Sequence, residues 1–249
     1  TERHVLAGAD TLVTVSQPIA DALERLHGGT RTRAILNGYD PDDFQPPIAA
    51  PAVDRAKLEI TYAGAVLPRH DLGLFLQGAR AFLDDAAARG ETPRLAIRLL
   101  GEVPPAVAAQ IDRHGLRSLT TLEARVPHAA AVAAMRAAPV LLFLPWQDPE
   151  HPGVYSGKLF EYLGARRPIL SVGAEPGVAG ALVESTGAGR NARTPAEVVA
   201  KLREIRSAFD AGRDPWTPDE AKVLEHSHRG MVASFARELE RLVTSAHRE

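Results

Sequence analysis

The amino-acid sequence predicts a doubly wound α/β domain on a parallel, Rossmann-like sheet. Two observations predict it. Short aliphatic or β-branched runs alternate with longer helical patterns, as in a parallel sheet covered on both faces. The runs are almost unbroken in apolar character, which suits strands buried on both sides, whereas half-exposed antiparallel strands alternate.

In chain order, the strand–helix pattern begins with Leu12-Val13-Thr14-Val15, a helix over 18–27 and a second strand over 33–36. Strands then follow over 58–62, 95–100, 119–122, 140–144, 169–172 and 187–190. The longest apolar run, Pro139 to Pro145, fits a buried strand and is too short to span a bilayer. Helices are predicted over 72–88, 105–114, 128–137, 158–165, 177–185, 195–209 and 227–244. Several start with proline near the first turn, where its missing N–H does no harm. There is no internal repeat. The stretch from Pro41 to Val53 is rich in proline and lacks periodicity, which is a linker composition. It separates a leading strand–helix–strand piece from an α/β unit starting near Asp54. A piece of about 45 residues is too small for an independent core. It must pack on the main unit, or be the tail of a further domain.

The chain has 249 residues, 45% hydrophobic and 24% charged, an ordinary balance for a soluble globular protein. A net charge of −2 gives no field that would draw nucleic acid or an anionic membrane. There is no cysteine, which excludes disulfides, thiolate metal sites and a cysteine nucleophile. No signal peptide or transmembrane segment is read. The expected location is the cytoplasm, with peripheral membrane contact left open. No metal and no cofactor are called for.

Open α/β sheets bind ligands beyond the carboxyl ends of their strands, at helix N-termini that attract anions. Three strand-to-helix turns therefore matter. One runs from Tyr62 and Gly64 through Arg69 and His70. A second is Gly101-Glu102-Val103-Pro104. The third, Pro145 to Gly157, carries Glu150, His151, Gly153, Tyr155, Ser156 and Gly157 and leads into Lys158 and Glu161. Its glycines permit close backbone approach. Ser156-Gly157 at a helix start can present N–H groups to a phosphate, Lys158 adds a charge, and Glu161 can accept from a vicinal diol. Cradle, cation and diol acceptor are what a nucleoside diphosphate sugar needs. The same Lys158 and Glu161 also fit a solvated (i, i+3) pair on a surface helix.

Three passages carry a resemblance. They are Ala9-Asp10-Thr11-Leu12-Val13-Thr14-Val15-Ser16 with Asn37-Gly38-Tyr39-Asp40 and Phe44, then Ile60-Thr61-Tyr62-Ala63-Gly64, and Lys158-Leu159-Phe160-Glu161-Tyr162-Leu163 with Pro168-Ile169. In order and spacing they resemble the retaining GT-B glycosyltransferases of group 1, or family 4, over nearly the whole chain. The resemblance implies the C-terminal half of a GT-B fold that binds a nucleotide-sugar donor, with hexosyl transfer to an unknown acceptor, retention and no metal. Residues 1–46 would be the tail of an N-terminal acceptor domain plus linker, 47–226 the donor domain and 227–249 a helix crossing back. It implies Arg69 and Lys158 as catalytic cations on the departing diphosphate and Glu161 on the ribose. Gly64, Gly101, Val126, Gly153, Tyr155, Ser156 and Gly157 would line the donor. The chain departs from the family at Gly153, where many members have a glutamate, and at Ala65, where an arginine is usual. Glu150 or His151 would then supply the sugar contact. Without an N-terminal domain in cis, the chain should bind nucleotide but not complete transfer.

The remaining notable residues have plainer readings. His226 and His228 are read as surface histidines, too close for a helical metal pair. Trp146 is read as a pocket wall or as packing on the core, Trp216 as an anchor for the C-terminal loop, and Asp84-Asp85 and Arg166-Arg167 as solvated charge. The alternatives left open are a sugar-nucleotide epimerase or phosphorylase of the same architecture, and a non-catalytic nucleotide-binding module. A nicotinamide-binding domain is disfavoured, since no strand is followed by Gly-x-Gly-x-x-Gly.

Overall fold

Side chains of alternate direction along each central strand feed two separate cores, and this fixes the layers of the molecule. The computed structural model describes residues 6, 8–28, 31–44, 54–92, 94–148, 150, 153–175 and 177–246. The leading piece is β1 (Leu12–Thr14), α1 (Gln17–His27) and β2 (Thr32–Ala34). The main unit is β3 (Leu58–Ala63), α2 (Leu72–Ala88), β4 (Leu95–Leu100), α3 (Pro105–Arg113), β5 (Thr120–Glu123), α4 (His128–Ala137) and β6 (Val140–Phe143). It continues through α5 (Gly157–Ala165), β7 (Ile169–Val172), α6 (Gly177–Ser185), β8 (Gly189–Ala192), α7 (Pro195–Asp210), α8 (Glu220–Glu225) and α9 (His228–Ala246).

The main sheet has six strands in the order β5-β4-β3-β6-β7-β8, every pair parallel. Leu58, Ile60 and Tyr62 of β3, with Val140 and Leu142 of β6, pack with α2, α3 and α7. Ala63, Leu141 and Phe143 turn the other way, toward α4, α5 and α6. Local signals set the helix starts. Asp71 accepts from the Leu74 N–H at 3.1 Å, and Thr194 accepts from the Glu197 N–H at 3.2 Å, each an N-cap.

The leading piece does pack on the main unit. β1 and β2 pair in parallel, and Tyr39, 4% exposed, bonds through its backbone to His226 and His228 at 3.0 and 2.8 Å. Thr11 and Arg33 reach Glu238 of α9 at 3.2 and 3.7 Å.

Several expectations need correction. The predicted linker begins with an ordered 3-10 turn, Pro41–Phe44, because Phe44 packs edge-on against Tyr39 at 5.7 Å; residues 45–53 lie outside the described residues. The last strand runs over Gly189–Ala192, two residues beyond the predicted start, because Gly187 at φ +67° ends the turn after α6. The short helix α8 was missed; Asp219 caps it by accepting from the Ala221 and Lys222 N–H groups. Arg166 and Arg167 are not solvated charge. Arg166 closes α5 in the left-handed region, donating to the Leu163 carbonyl at 2.8 Å and to Tyr39 Oη at 2.9 Å. Arg167 is buried and donates to the Ala138 carbonyl at 2.8 Å. His226 is half-buried, its ring 6.4 Å from Phe160, while His228 is exposed as expected. Trp216 is indeed an anchor: it is buried, with Nε1 donating to Glu204 at 2.8 Å.

Candidate functional site

Between β3 and β6 the strand order reverses direction, which is where sheets of this kind leave a crevice for ligands. The loops leaving those two strands are tied together over it. His70 and Trp146 form an antiparallel bridge, and the Gln147 N–H donates to the Arg69 carbonyl at 3.0 Å. The Gln147 side chain also exchanges hydrogen bonds with the Glu175 backbone, both at 3.0 Å, which adds the loop after β7.

Under these loops the strand ends form a bare backbone ledge. Gly64 sits at φ +126° and Gly101 at φ +136°, a region closed to other residues. A Cβ on Gly101 would lie 2.5 Å from the Gly64 carbonyl oxygen, and one on Gly64 would lie 2.6 Å from Lys158 Nζ. The ledge is therefore where the lysine chain lies. Lys158 Nζ donates to Tyr62 Oη at 2.5 Å and stands 3.9 Å from that ring's centroid. This is not the solvated partner of Glu161 that the helix spacing also allowed. Burial pushes the Lys158 ammonium down to about 8, against an opposing pull from Glu161. Burial likewise raises the Tyr62 phenol. Tyr62 in turn donates to the Ala65 carbonyl at 2.8 Å. The Leu67 N–H donates to His70 Nδ1 at 3.2 Å, so this nitrogen is an acceptor. Burial, and then the Lys158 charge, push His70 down to about 4, leaving it neutral at neutral pH.

The N-terminus of α5 faces the same crevice. Ser156 is its N-cap, in extended conformation, and makes no side-chain cap hydrogen bond. The space around Gly157 is open, so an anion could reach the first-turn N–H groups. One turn on, Glu161 is 38% exposed, with Oε1 3.8 Å from His128 Nδ1. Burial raises its carboxyl, while His128 and Lys158 lower it. His128 Nε2 meets Asp43 Oδ2 at 2.9 Å, and that bond raises the imidazole above its ordinary value.

The other predicted residues are spread around this centre. Arg69 is about half exposed and pairs with Asp148 at 3.6 Å. Val126 is half-buried on the second core just before α4, and Tyr155 tilts against Phe160 at 5.8 Å. Gly153 is buried against the start of α1, where a Cβ would stand 2.6 Å from Ser16 Oγ. Glu150 is exposed and borders an apolar cavity of about 300 Å³ shared with Pro18, Ile19 and Leu23. His151 lies outside the described residues. Sequence reading missed His128 and Asp43, and placed Tyr62 and His70 in the first turn without giving either a role. Tyr62 is hidden in an apolar strand, and Asp43 in a segment read as linker. Among the described residues, no group of three or more His, Asp or Glu side chains is arranged to hold a metal ion, and no helix is long and apolar enough to cross a membrane.

No family model and no curated protein matches the sequence. Solved structures do match the fold. Sucrose-phosphate synthase from Thermosynechococcus elongatus superposes with a TM-score of 0.68 at 15% identity, covering 98% of this chain and 61% of that one. Anabaena HepE, solved with UDP, gives 0.69 at 15% identity over 94% of this chain and 64% of that one. A glycosyltransferase from Rickettsia africae gives 0.69 at 12% identity, again over 94% and 64%. The chain has the fold of GT-B glycosyltransferases. It spans 61–64% of the length of these GT-B neighbours. At this identity the likeness concerns the fold, so the chemistry must be argued from the site.

Proposed function

We propose that the chain is the donor-binding half of a retaining, metal-independent glycosyltransferase of the group 1 type, holding a nucleoside diphosphate sugar at the β3–β6 crevice. The observation that carries this reading is Lys158. A half-buried ammonium lies on a ledge of two glycines, beside a helix N-terminus that its own cap residue leaves open. A diphosphate entering there gains the helix N–H groups and the ammonium together, and both bear on the charge that grows as the glycosidic bond breaks.

In this reading Lys158 takes the diphosphate and Glu161 the ribose diol. Backbone at Gly64, Gly101, Val126, Tyr155, Ser156 and Gly157 lines the donor. Arg69 serves as a second cation once it leaves Asp148. Gly153 stands where family members often have a glutamate, but its packing on Ser16 leaves no room for a side chain; Glu150, in the same loop, is proposed for the sugar contact. The acceptor would be held by an N-terminal domain in cis. Support for that comes from α9, which exposes Val232, Phe235, Leu239 and Val243 at helical spacing.

Calorimetric titration with UDP, GDP, ADP and dTDP tests the reading, on the chain itself and on Lys158→Ala and Glu161→Ala. One diphosphate should bind, and both substitutions should weaken it at least tenfold. A folded chain that binds none of the four, or binds one indifferently to Lys158, overturns it.

A further inference from the structure

Glu161 is one face of a charged relay that the donor reading does not use. His128 is the first residue of α4 and stands between two carboxylates from different parts of the chain. Its Nε2 is 2.9 Å from Asp43 Oδ2, in the turn that follows the leading piece. Its Nδ1 is 3.8 Å from Glu161 Oε1 on α5. The same turn is anchored by Phe44, whose ring lies against Tyr39 and against the backbone of α5 at Gly164, where a Cβ would stand 2.6 Å from it. Asp43 is therefore carried on a fixed support.

We infer that His128, held by Asp43, is a positioning residue that fixes and ionises Glu161 for the ribose diol. The inference rests on the donor reading of Glu161 given above. A glutamate side chain has three rotatable bonds, and an ion pair between one oxygen and His128 biases it toward one arrangement. The other oxygen stays free to accept from neighbouring hydroxyls. The imidazolium carries an N–H on both nitrogens, so it can bond to Asp43 and still turn a positively charged N–H toward Glu161 at ion-pair distance, whereas the neutral ring has one N–H. If the neutral ring keeps its stronger bond to Asp43, its lone pair faces the Glu161 carboxylate and the pairing is lost.

Among the described residues, the charged groups that act on this relay are its own three members and Lys158. His128 meets Asp43 from the turn and Glu161 from α5, and Glu161 also feels Lys158 on its own helix. Asp43 raises His128 above 6.5 and burial raises Glu161 above 4.5. The relay is intact between those two titrations. Below the lower one Glu161 is protonated and cannot accept; above the upper one His128 loses its second donor. Preference for ribose over 2′-deoxyribose should thus be greatest in a slightly acidic window and fall on both sides. Lys158 acts on the diphosphate in both ligands, so its titration cancels in the ratio.

The experiment compares the affinity of UDP, GDP and ADP with that of their 2′-deoxy counterparts, from pH 5 to 9, in the unsubstituted chain, Glu161→Gln, His128→Gln and Asp43→Asn. Far-ultraviolet dichroism and thermal melts confirm folding of each. The unsubstituted chain should prefer the ribonucleotide about tenfold, the size of one well-placed hydrogen bond to a charged group. Glu161→Gln should reduce the ratio to near one at all pH values. His128→Gln should reduce it at least threefold and flatten its upper pH limb. Asp43→Asn should keep the limb but move it to lower pH. If Glu161→Gln removes the preference while His128→Gln leaves both the ratio and its pH profile unchanged, the positioning role is overturned and the donor reading stands. If the unsubstituted chain shows no preference for ribose, both are overturned.

Discussion

Replacing Lys158 with methionine should make the protein more stable and unable to bind a nucleoside diphosphate. The ammonium is pushed from 10.5 down to about 8 by burial. At about 1.4 kcal/mol per pH unit, keeping it charged in the fold costs roughly 3 kcal/mol relative to the unfolded chain. The sign follows from linkage. A group whose folded value lies below its unfolded value disfavours folding throughout the range where both are protonated, so the penalty is fully present below pH 8 and fades between 8 and 10.5. Methionine has a similar length and no charge, and Tyr62 Oη keeps its bond to the Ala65 carbonyl. Urea denaturation at pH 7 should show a gain of about 1 to 3 kcal/mol for Lys158→Met, shrinking toward pH 10. Calorimetry should show loss of diphosphate binding. A variant destabilised by more than about 1 kcal/mol would refute the reasoning, because it would make Lys158 a strut under the loops, beyond the usual effect of a surface change.

Two further outcomes follow from the same geometry. Affinity for a 2′-deoxynucleoside diphosphate, which does not engage Glu161 through a ribose diol, should decline above pH 8, as free Lys158 loses the proton that the ligand requires; titrations at pH 7, 8 and 9 check this, and a flat profile through 9 would count against an ammonium contact. Gly101→Ala should destabilise by about 1 to 3 kcal/mol, since it forces a non-glycine residue to φ +136° with its Cβ 2.5 Å from the Gly64 carbonyl oxygen, and should weaken diphosphate binding by moving the ledge; thermal melts and calorimetry read the two effects separately.

The sheet was legible because its strands are nearly pure aliphatic runs, and burial on both faces demands that composition. The strand–helix alternation likewise gave the parallel topology. What composition missed was decided by single contacts. Arg166 and Arg167 look like surface charge until the ends of α5 and α4 offer the Leu163 and Ala138 carbonyls, which need donors, and their long stems can be buried while their guanidinium groups serve the backbone. Asp43 was unreadable for a similar reason. Proline-rich sequence signals a linker, but Phe44 finds a cleft between Tyr39 and α5, and ordering that one residue orders the turn. Lys158 and Glu161 were legible as a pair at helical spacing, yet spacing could not say that the lysine turns inward. That depends on Gly64 having no side chain, and on Tyr62, ninety-six positions before Lys158, presenting a hydroxyl beneath it.

Tyr62 therefore links fold and chemistry in a way that neither explains alone. Its ring belongs to the core of the sheet, while its hydroxyl emerges at the carboxyl end of β3, where three loops are already tied together. A buried phenol needs hydrogen-bond partners, and it has them in the Ala65 carbonyl and the Lys158 ammonium. The ammonium is thus held in place by a neutral partner, and among the described residues no carboxylate is paired with it. A carboxylate in Tyr62's place would stabilise Lys158 and the fold together, but it would neutralise the charge that an incoming diphosphate needs. The neutral hydroxyl leaves the cation costly to the fold and available to the ligand, so binding relieves a penalty that folding alone does not.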